Sequence, residues 1–243
     1  MCVDAPLGKY VTSSGSRYAT DASAGYYVSS TGQSTQSAAD AGYYVPTTGQ
    51  STQSAADAGH YVDSTLGSAQ TSQTACLAGT YNPNTGSTSP SACGDADAGY
   101  YVPTTGQSSQ SACLAGTYQA TTGQTSCDDA SAGHYVLSTG QSTQTACLAG
   151  TYNPNTGSTS SSACGNADAG YYVPTTGQSS QTACLAGTYN PNTGSIRSVD
   201  CLESIVGYHV PTSGQSTQTA CAAGTYQAST AQSSCDDADL GYY

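Results

Sequence analysis

One short motif, Gly-x-Tyr, returns along the whole chain at a spacing of either 17 or 20 residues. The residue two places after the glycine is tyrosine in thirteen of the fourteen copies, and the exception is His209. Self-similarity at periods of this length is typical of repeat arrays, in which each repeat buries its apolar surface only against its neighbours. The glycine that opens each copy is called the marker glycine here; the marker glycines are Gly8, Gly25, Gly42, Gly59, Gly79, Gly99, Gly116, Gly133, Gly150, Gly170, Gly187, Gly207, Gly224 and Gly241.

Composition alone would place this chain among disordered proteins. Only 7% of its 243 residues are charged, and it contains no phenylalanine and no tryptophan, whereas typical soluble domains are roughly 25% charged. Polar chains without a large apolar core are normally disordered, but the strict period and the eleven cysteines argue against that interpretation. The net charge of −12 with only three basic residues excludes a basic surface for nucleic acid or anionic lipid.

Each repeat carries the local signals of a short β-hairpin. In one kind of repeat Tyr100-Tyr101-Val102 is followed by Pro-Thr-Thr-Gly, and in the other Asn82-Pro-Asn-Thr-Gly86 takes the same place. Tyrosine and valine favour strands, proline presets the first turn position and the glycine adopts the left-handed conformation that returns the chain. Because an isolated hairpin of this size is unstable in water, we expect it to be held by stacking or by covalent bridges.

Ten of the cysteines keep a constant distance from the marker glycines, three residues before one and six before the next. This regularity predicts disulfides within successive pairs; a register shifted by one cysteine is the alternative and would leave Cys76 and Cys235 without partners. Zinc sites prefer ligands grouped as Cys-x-x-Cys, a motif that this chain lacks, so we expect disulfides and an oxidising compartment. The expected pairs are Cys76–Cys93, Cys113–Cys127, Cys147–Cys164, Cys184–Cys201 and Cys221–Cys235.

The segments Cys76–Tyr81, Cys113–Tyr118, Cys147–Tyr152 and Cys184–Tyr189 all read Cys-Leu-Ala-Gly-Thr-Tyr. They resemble the cysteine-rich ephrin-receptor-like repeats, which are related in style to the tumour-necrosis-factor-receptor modules. The resemblance covers residues 76–243, whereas residues 1–75 share only the Gly-x-Tyr rhythm, and this boundary divides the chain into two expected regions. The resemblance implies an extracellular, elongated, cysteine-laddered array. The second cysteine of the family's Cys-x-x-Cys is absent, so alternate repeats are expected to hold by stacking alone.

Threonine pairs follow a proline in three of the turns and are expected to project from the hairpin tips. Clusters of serine and threonine of this kind are typical of O-glycosylated surface proteins. No Asn-x-Ser/Thr sequence occurs, so N-linked glycans are not expected. The candidate glycosylation sites are Thr47, Thr48, Thr104, Thr105, Thr175 and Thr176.

The tyrosines, histidines and aspartates each allow two interpretations. Stacked tyrosines are expected to form the core of each repeat, with a stripe for sugar binding or self-association as the alternative. His60, His134 and His209 are expected to replace tyrosine in packing rather than to bind a metal, because they lie far apart in the sequence. The aspartates that follow the second cysteines are expected to form a solvated acidic surface, with calcium binding as the alternative. We expect no catalytic residues, no metal site and no cofactor.

Two features near the chain ends raise further expectations. Cys2 has no partner in the pairing scheme. Lipid attachment and an intermolecular disulfide are the two alternatives for its thiol. Gly241-Tyr242-Tyr243 begins another repeat, and no apolar run resembles a signal peptide or a membrane span. We therefore expect a segment or mature form of a larger exported protein, whose unfinished repeat pairs head to tail with another copy.

Together these features predict an all-β, elongated, stacked array of short disulfide-stapled hairpin repeats of 17 or 20 residues. The expected function is structural rather than enzymatic: a subunit of an extracellular fibre, filament or cell-surface layer. The subunit would associate head to tail with itself, carry O-linked glycans, and neither bind nucleic acid nor insert into a membrane. The alternative is a glycan-binding adhesin or receptor-like ectodomain stalk, for which the divergent segment 195–206 would be the place to look.

Overall fold

A computed structural model of the chain describes residues 4–239; Cys2 and the unfinished repeat Gly241–Tyr243 lie outside this range. Within residues 4–239 the fold consists of thirteen antiparallel hairpins, each made of two strands of two residues, which confirms the expected all-β array of short hairpins. The hairpins pair β1 (Lys9–Tyr10) with β2 (Thr20–Asp21), β3 (Tyr26–Tyr27) with β4 (Ser37–Ala38), β5 (Tyr43–Tyr44) with β6 (Ser54–Ala55), β7 (His60–Tyr61) with β8 (Thr74–Ala75), β9 (Thr80–Tyr81) with β10 (Gly94–Asp95), β11 (Tyr100–Tyr101) with β12 (Ser111–Ala112), β13 (Thr117–Tyr118) with β14 (Asp128–Asp129), β15 (His134–Tyr135) with β16 (Thr145–Ala146), β17 (Thr151–Tyr152) with β18 (Gly165–Asn166), β19 (Tyr171–Tyr172) with β20 (Thr182–Ala183), β21 (Thr188–Tyr189) with β22 (Leu202–Glu203), β23 (Tyr208–His209) with β24 (Thr219–Ala220), and β25 (Thr225–Tyr226) with β26 (Asp236–Asp237).

The turn chemistry follows the expected pattern in most hairpins, but Ala69 (φ 68°) and Ala231 (φ 58°) take the left-handed turn position in two of them instead of glycine. In the repeat that opens at Gly99, Tyr100 lies opposite Ala112 and Tyr101 opposite Ser111. The turn glycine of this repeat, Gly106, has a φ of 74°, in the left-handed region that residues with a Cβ atom rarely adopt. The difference between the two repeat lengths is also local, because each 20-residue repeat contains one short 3-10 helix. These helices are Ser64–Leu66, Pro90–Ala92, Ser161–Ala163 and Ser198–Asp200.

Backbone hydrogen bonds of one pattern join consecutive repeats at most of the joints within residues 4–239. At the joint after Gly79, the Gly79 amide donates to the carbonyl of Val102 at 2.8 Å, and the Asn82 amide donates to that of Gln107 at 3.1 Å. In the other direction, the Gly106 amide of the following repeat donates to the carbonyl of Cys76 at 2.8 Å. The strands are too short to form a wide sheet, so these bonds satisfy backbone groups that the two-stranded hairpins leave free.

The core is built from small side chains at two positions of the repeat. One column lies three residues after the marker glycine, where Val102, Val136 and Val173 are buried, and the other lies three residues before it, where alanine or cysteine is buried. The expectation of a tyrosine core is wrong: the tyrosines of the strands are half-buried or exposed. Hydrogen-bonded backbones lie only about 4.8 Å apart, so the space between repeats admits valine and alanine, while most tyrosine rings are only half-buried.

Residues 4–239 divide into two compact units, one formed by the described residues up to 113 together with 119–127 and the other by 114–118 together with the described residues from 128 onward. Hairpins of the same form and the same joints occur within each unit. Within residues 4–239, none of the helices has the length or the apolar character needed to cross a membrane.

Candidate functional site

Five disulfides close alternate repeats, and they join the cysteines in the pairs expected from their spacing. Each bridge links the residue three places before a marker glycine to the return arm of the same hairpin, with Cα–Cα distances of 5.6–5.8 Å. Bridges of this number indicate an oxidising compartment, such as the extracellular space. The bridges are Cys76–Cys93, Cys113–Cys127, Cys147–Cys164, Cys184–Cys201 and Cys221–Cys235.

Seven of the eight described repeats without a disulfide are closed by a glutamine side chain in the corresponding place, and the repeat that opens at Gly8 has no glutamine there. In the repeat that opens at Gly99, Gln110 accepts a hydrogen bond from the backbone amide of Asp97 and donates one to its carboxylate, both at 2.6 Å. The expectation that these repeats hold by stacking alone is therefore wrong. The glutamines whose side-chain oxygen makes this backbone contact are Gln36, Gln53, Gln73, Gln110, Gln144, Gln181 and Gln218.

Three buried asparagines connect neighbouring repeats through their side chains. The amide nitrogen of Asn153 donates to the backbone carbonyl of His134 in the preceding repeat at 3.1 Å and to the hydroxyl of Ser158 at 2.8 Å. Its side-chain oxygen accepts from the amide of Asn155 at 3.1 Å. Asn82 and Asn190 make the same three contacts. These residues are fully buried but satisfied, so the cost of burying a polar group is offset.

The threonine pairs lie exposed at the hairpin tips. The first threonine of each pair accepts a hydrogen bond from the glutamine three residues later, as Thr104 does from Gln107 at 2.9 Å. Thr105, the second of that pair, is also exposed, and within residues 4–239 its hydroxyl makes no hydrogen bond. The same arrangement holds for Thr47 with Thr48 and for Thr175 with Thr176. The second threonine of each pair is therefore the more available acceptor for a modification.

A regular set of exposed leucines was not predicted from the sequence. The leucine that follows the first cysteine of each bridge in four repeats is 70–76% exposed. The hydroxyl of the threonine three residues later donates to its carbonyl, as Thr151 does to Leu148 at 2.8 Å. The repeated Cys-Leu-Ala-Gly-Thr-Tyr motif makes the recurrence of this leucine visible in the sequence. No feature of the motif indicates that the leucine side chain is exposed. These leucines are Leu77, Leu114, Leu148 and Leu185.

The structure places the three histidines in two different environments. The rings of His60 and His134 lie beside the turn glycines Gly106 and Gly177 two repeats further on, as expected for packing residues. His209 instead lies against a disulfide, with its Nδ1 atom 3.1 Å from Sγ of Cys235. Within residues 4–239, His209, Cys221 and Cys235 are the one group of three side chains arranged so that a metal could be bound.

The divergent segment 195–206 carries a cluster of exposed apolar side chains. Arg197 pairs with Asp200 at 3.2 Å across the short helix Ser198–Asp200. Around this pair, five apolar side chains are 45–70% exposed; they are Ile196, Val199, Leu202, Ile205 and Val206. Several exposed apolar side chains within one short segment make it a candidate interaction site.

Comparisons with known proteins identify no relative of this chain, since no family model and no curated protein matches it. The likeness to ephrin-receptor-like repeats therefore stays a prediction based on the Cys-x-x-Gly-Thr-Tyr motif.

Proposed function

We propose that the chain is a structural subunit of an extracellular fibre, filament or cell-surface layer, which associates head to tail with copies of itself and carries O-linked glycans. The observation that carries this proposal is the joint between repeats. Two amides of one repeat donate to the next, and one turn-glycine amide of the next repeat donates back. The two faces of a repeat therefore differ and complement each other.

A contact between unlike faces propagates when it forms between molecules. The same backbone bonds join repeats whose buried residue three places after the marker glycine is valine, asparagine or glutamine. Because the joint depends on the backbone rather than on particular side chains, a repeat of another copy offers the same partners. Addition of a strand edge to another molecule is a common mode of protein association.

Two surface features support this proposal. The exposed leucines recur in alternate repeats and offer regular apolar contacts to a neighbouring molecule. The exposed threonine pairs at the hairpin tips offer positions for O-linked glycans, which would keep a chain with only 7% charged residues hydrated and protect its hairpin edges from unwanted pairing.

Capped variants test the head-to-tail association. A small folded monomeric protein is fused directly to the N-terminus, to the C-terminus or to both, and each chain is studied by sedimentation velocity and electron microscopy over a concentration series. The unfused chain should form polymers that lengthen with concentration, single fusions should shorten them, and the double fusion should stay monomeric. An unfused chain that remains monomeric at high concentration contradicts the proposal, as does equal assembly of the double fusion.

The mass of native material tests the glycosylation. It should exceed the 24.2 kDa of the polypeptide, and peptide mapping should find sugars on Thr105 and Thr176 more often than on Thr104 and Thr175, whose hydroxyls accept hydrogen bonds from glutamine. A native mass equal to that of the bare chain excludes the glycans without affecting the assembly.

A second candidate function, a binding ectodomain, is favoured by the exposed apolar cluster of segment 195–206. Replacing Ile196, Val199 and Leu202 together by serine should abolish binding of the chain to cell surfaces and leave its polymerisation unchanged. Replacing the exposed Leu137 by serine serves as the control, because Leu137 lies outside this cluster and outside the set of leucines that follow a bridge cysteine. Unchanged cell binding contradicts this candidate.

A further inference from the structure

A histidine side chain, His209, packs against the Cys221–Cys235 bridge. His209 brings Nδ1 to 3.1 Å from Sγ of Cys235. The potential ligand atoms of His209, Cys221 and Cys235 all lie within 4.8 Å of one another. A histidine nitrogen and two cysteine sulfurs at this separation form a donor set that zinc and related soft divalent ions prefer.

The position-for-position equivalent of His209 in the repeat array is a tyrosine. Tyr101 and His209 lie the same distance before Cys113 and Cys221, and each bridge spans 14 residues. Both side chains stand on the first strand of their hairpin, opposite the residue two places before the cysteine. The repeat array thus contains its own control, a bridge of equal length with a phenol in place of the imidazole.

Tyrosine also accompanies other bridges. Tyr61 lines the same cavity as the Cys76–Cys93 bridge, and Tyr172 lines the same cavity as the Cys184–Cys201 bridge. An imidazole is a much better ligand than a neutral phenol for zinc-type ions. The substitution at position 209 therefore changes the chemistry next to one bridge and leaves the hairpin register unchanged.

We propose that reduction of the Cys221–Cys235 bridge opens a binding site for a thiophilic divalent metal ion of the zinc class. The two thiolates and Nδ1 of His209 supply three ligands. The fourth position of a tetrahedral site stays open to water, as in zinc sites with three protein ligands. In the oxidised protein the bridge closes its repeat, and in the reduced protein the metal ion closes it instead.

The backbone geometry suits this exchange. Two sulfurs bound to one tetrahedral zinc ion at about 2.3 Å each lie about 3.8 Å apart. The Cα atoms of Cys221 and Cys235 are 5.8 Å apart, so rotation of the side chains reaches that separation without moving the strands. His209 is held by the pairing of β23 with β24 and needs no rearrangement of its backbone.

The reductant is a low-molecular-weight thiol of the glutathione class, and the step balances in atoms and electrons. A glutathione thiolate attacks one sulfur of the bridge, which breaks the bond between the two cysteines and releases the other as a thiolate. A second glutathione thiolate attacks the mixed disulfide, so that two glutathione molecules are oxidised to one glutathione disulfide and two cysteine thiols form. The metal ion then binds both sulfurs and releases their two protons.

Metal-dependent reduction of individual bridges tests the proposal. The full chain is equilibrated in glutathione redox buffers with and without buffered free Zn²⁺, quenched with acid and alkylated, and peptide mapping gives the reduced fraction of each bridge. Because the metal binds only the reduced form of Cys221 and Cys235, the ratio of reduced to oxidised forms of this pair should rise about elevenfold at a free Zn²⁺ concentration ten times the Kd. The other four bridges should not respond.

Two matched variants complete the test. His209→Tyr restores the residue found beside the equivalent bridge and should remove the zinc effect at Cys221–Cys235 without unfolding the hairpin. Tyr101→His should introduce a zinc effect at Cys113–Cys127. Reduced wild-type protein should also show the thiolate charge-transfer band of tetrahedral Co²⁺, and the His209→Tyr variant should lose it.

The proposal is overturned by any of three results. The first is that zinc has no effect on the Cys221–Cys235 bridge, which includes the case in which that bridge stays closed in the most reducing buffer. The second is that zinc acts equally on all five bridges, which would indicate unspecific binding to thiolates. The third is that zinc acts equally on the wild type and on His209→Tyr, which would show that the imidazole is not a ligand.

Discussion

Alanine substitution of three glycines in one repeat separates the two reasons why this fold needs glycine. Gly79 has a φ of 86°, and a Cβ atom there would lie 2.3 Å from the carbonyl oxygen of Gly123, two repeats further on. Gly86 has a φ of 67° but faces open space. Gly94 also faces open space, and its φ lies outside the left-handed region. Alanine would therefore meet both backbone strain and a close contact at Gly79, backbone strain alone at Gly86, and neither at Gly94.

The expected losses of stability follow from these geometries. A left-handed backbone costs alanine about 1–2 kcal/mol, and the entropy lost from the unfolded chain returns about 0.4–1 kcal/mol. Gly86→Ala should therefore lower the free energy of unfolding by about 1 kcal/mol, and Gly94→Ala should leave it unchanged or slightly raised. Gly79→Ala adds an overpacking cost of about 1–3 kcal/mol, because a backbone carbonyl rather than a flexible side chain must move, for a total of about 2–4 kcal/mol.

Urea denaturation followed by tyrosine fluorescence measures these differences, since the chain has 20 tyrosines and no tryptophan. Hydrogen exchange of the Asn82 and Gly106 amides, which join this repeat to the next, shows whether the loss is local to the joint. Equal destabilisation by Gly79→Ala and Gly86→Ala would refute the close approach between repeats two apart. A lower free energy of unfolding for Gly94→Ala would refute the assignment of the Gly94 backbone to an ordinary conformation.

Three further predictions concern the bridges, the buried amides and a helix cap. Replacing Cys147 and Cys164 together by alanine should lower the free energy of unfolding by about 3 kcal/mol in urea titrations, because their bridge closes a 17-residue loop; an unchanged midpoint contradicts this. Asn153→Ala should cost about 1–3 kcal/mol in the same assay, since it leaves a carbonyl of the preceding repeat without its donor, and a neutral result would show that water replaces the amide. Hydrogen bonds from the hydroxyl and the amide of Thr65 lower the pKa of Asp63. Thr65→Val should raise that pKa in an NMR titration, and in wild type the cap's contribution to stability is present above pH 3.8, the ordinary aspartate value, and is lost as the pH falls through the folded pKa.

The local structure of each repeat could be predicted because its signals lie within one period. The turn glycine, the tyrosine pair and the proline or asparagine before the turn specify the hairpin without help from other repeats. The pairing of Cys147 with Cys164 followed from constant offsets to the marker glycines, since equal positions in a repeat occupy equal positions in space. The exposed threonine tips at Thr104 and Thr105 followed from the same turn chemistry.

The contents of the core could not be predicted, because strands of two residues contain no alternation long enough to reveal their inner face. Size suggested tyrosine, whereas the narrow space between hydrogen-bonded repeats selects residues such as Val102 and leaves most tyrosine rings half-buried. The hydrogen bonds by which glutamine side chains close the repeats could not be predicted for a related reason. Gln110 reaches Asp97 across 13 residues, and a polar residue in a polar return arm carries no sign of its partner.

The period, the hairpin turns and the cysteine pairs could be predicted from the sequence, since each depends on residues close together in the chain. The contacts between repeats follow only from how the hairpins stack. Gly79 needs to be glycine because Gly123 approaches it, and His209 gains a chemical role because the Cys221–Cys235 bridge lies against its ring. Both contacts depend on how the repeats stack, and that stacking is set by backbone hydrogen bonds, which no side-chain pattern records.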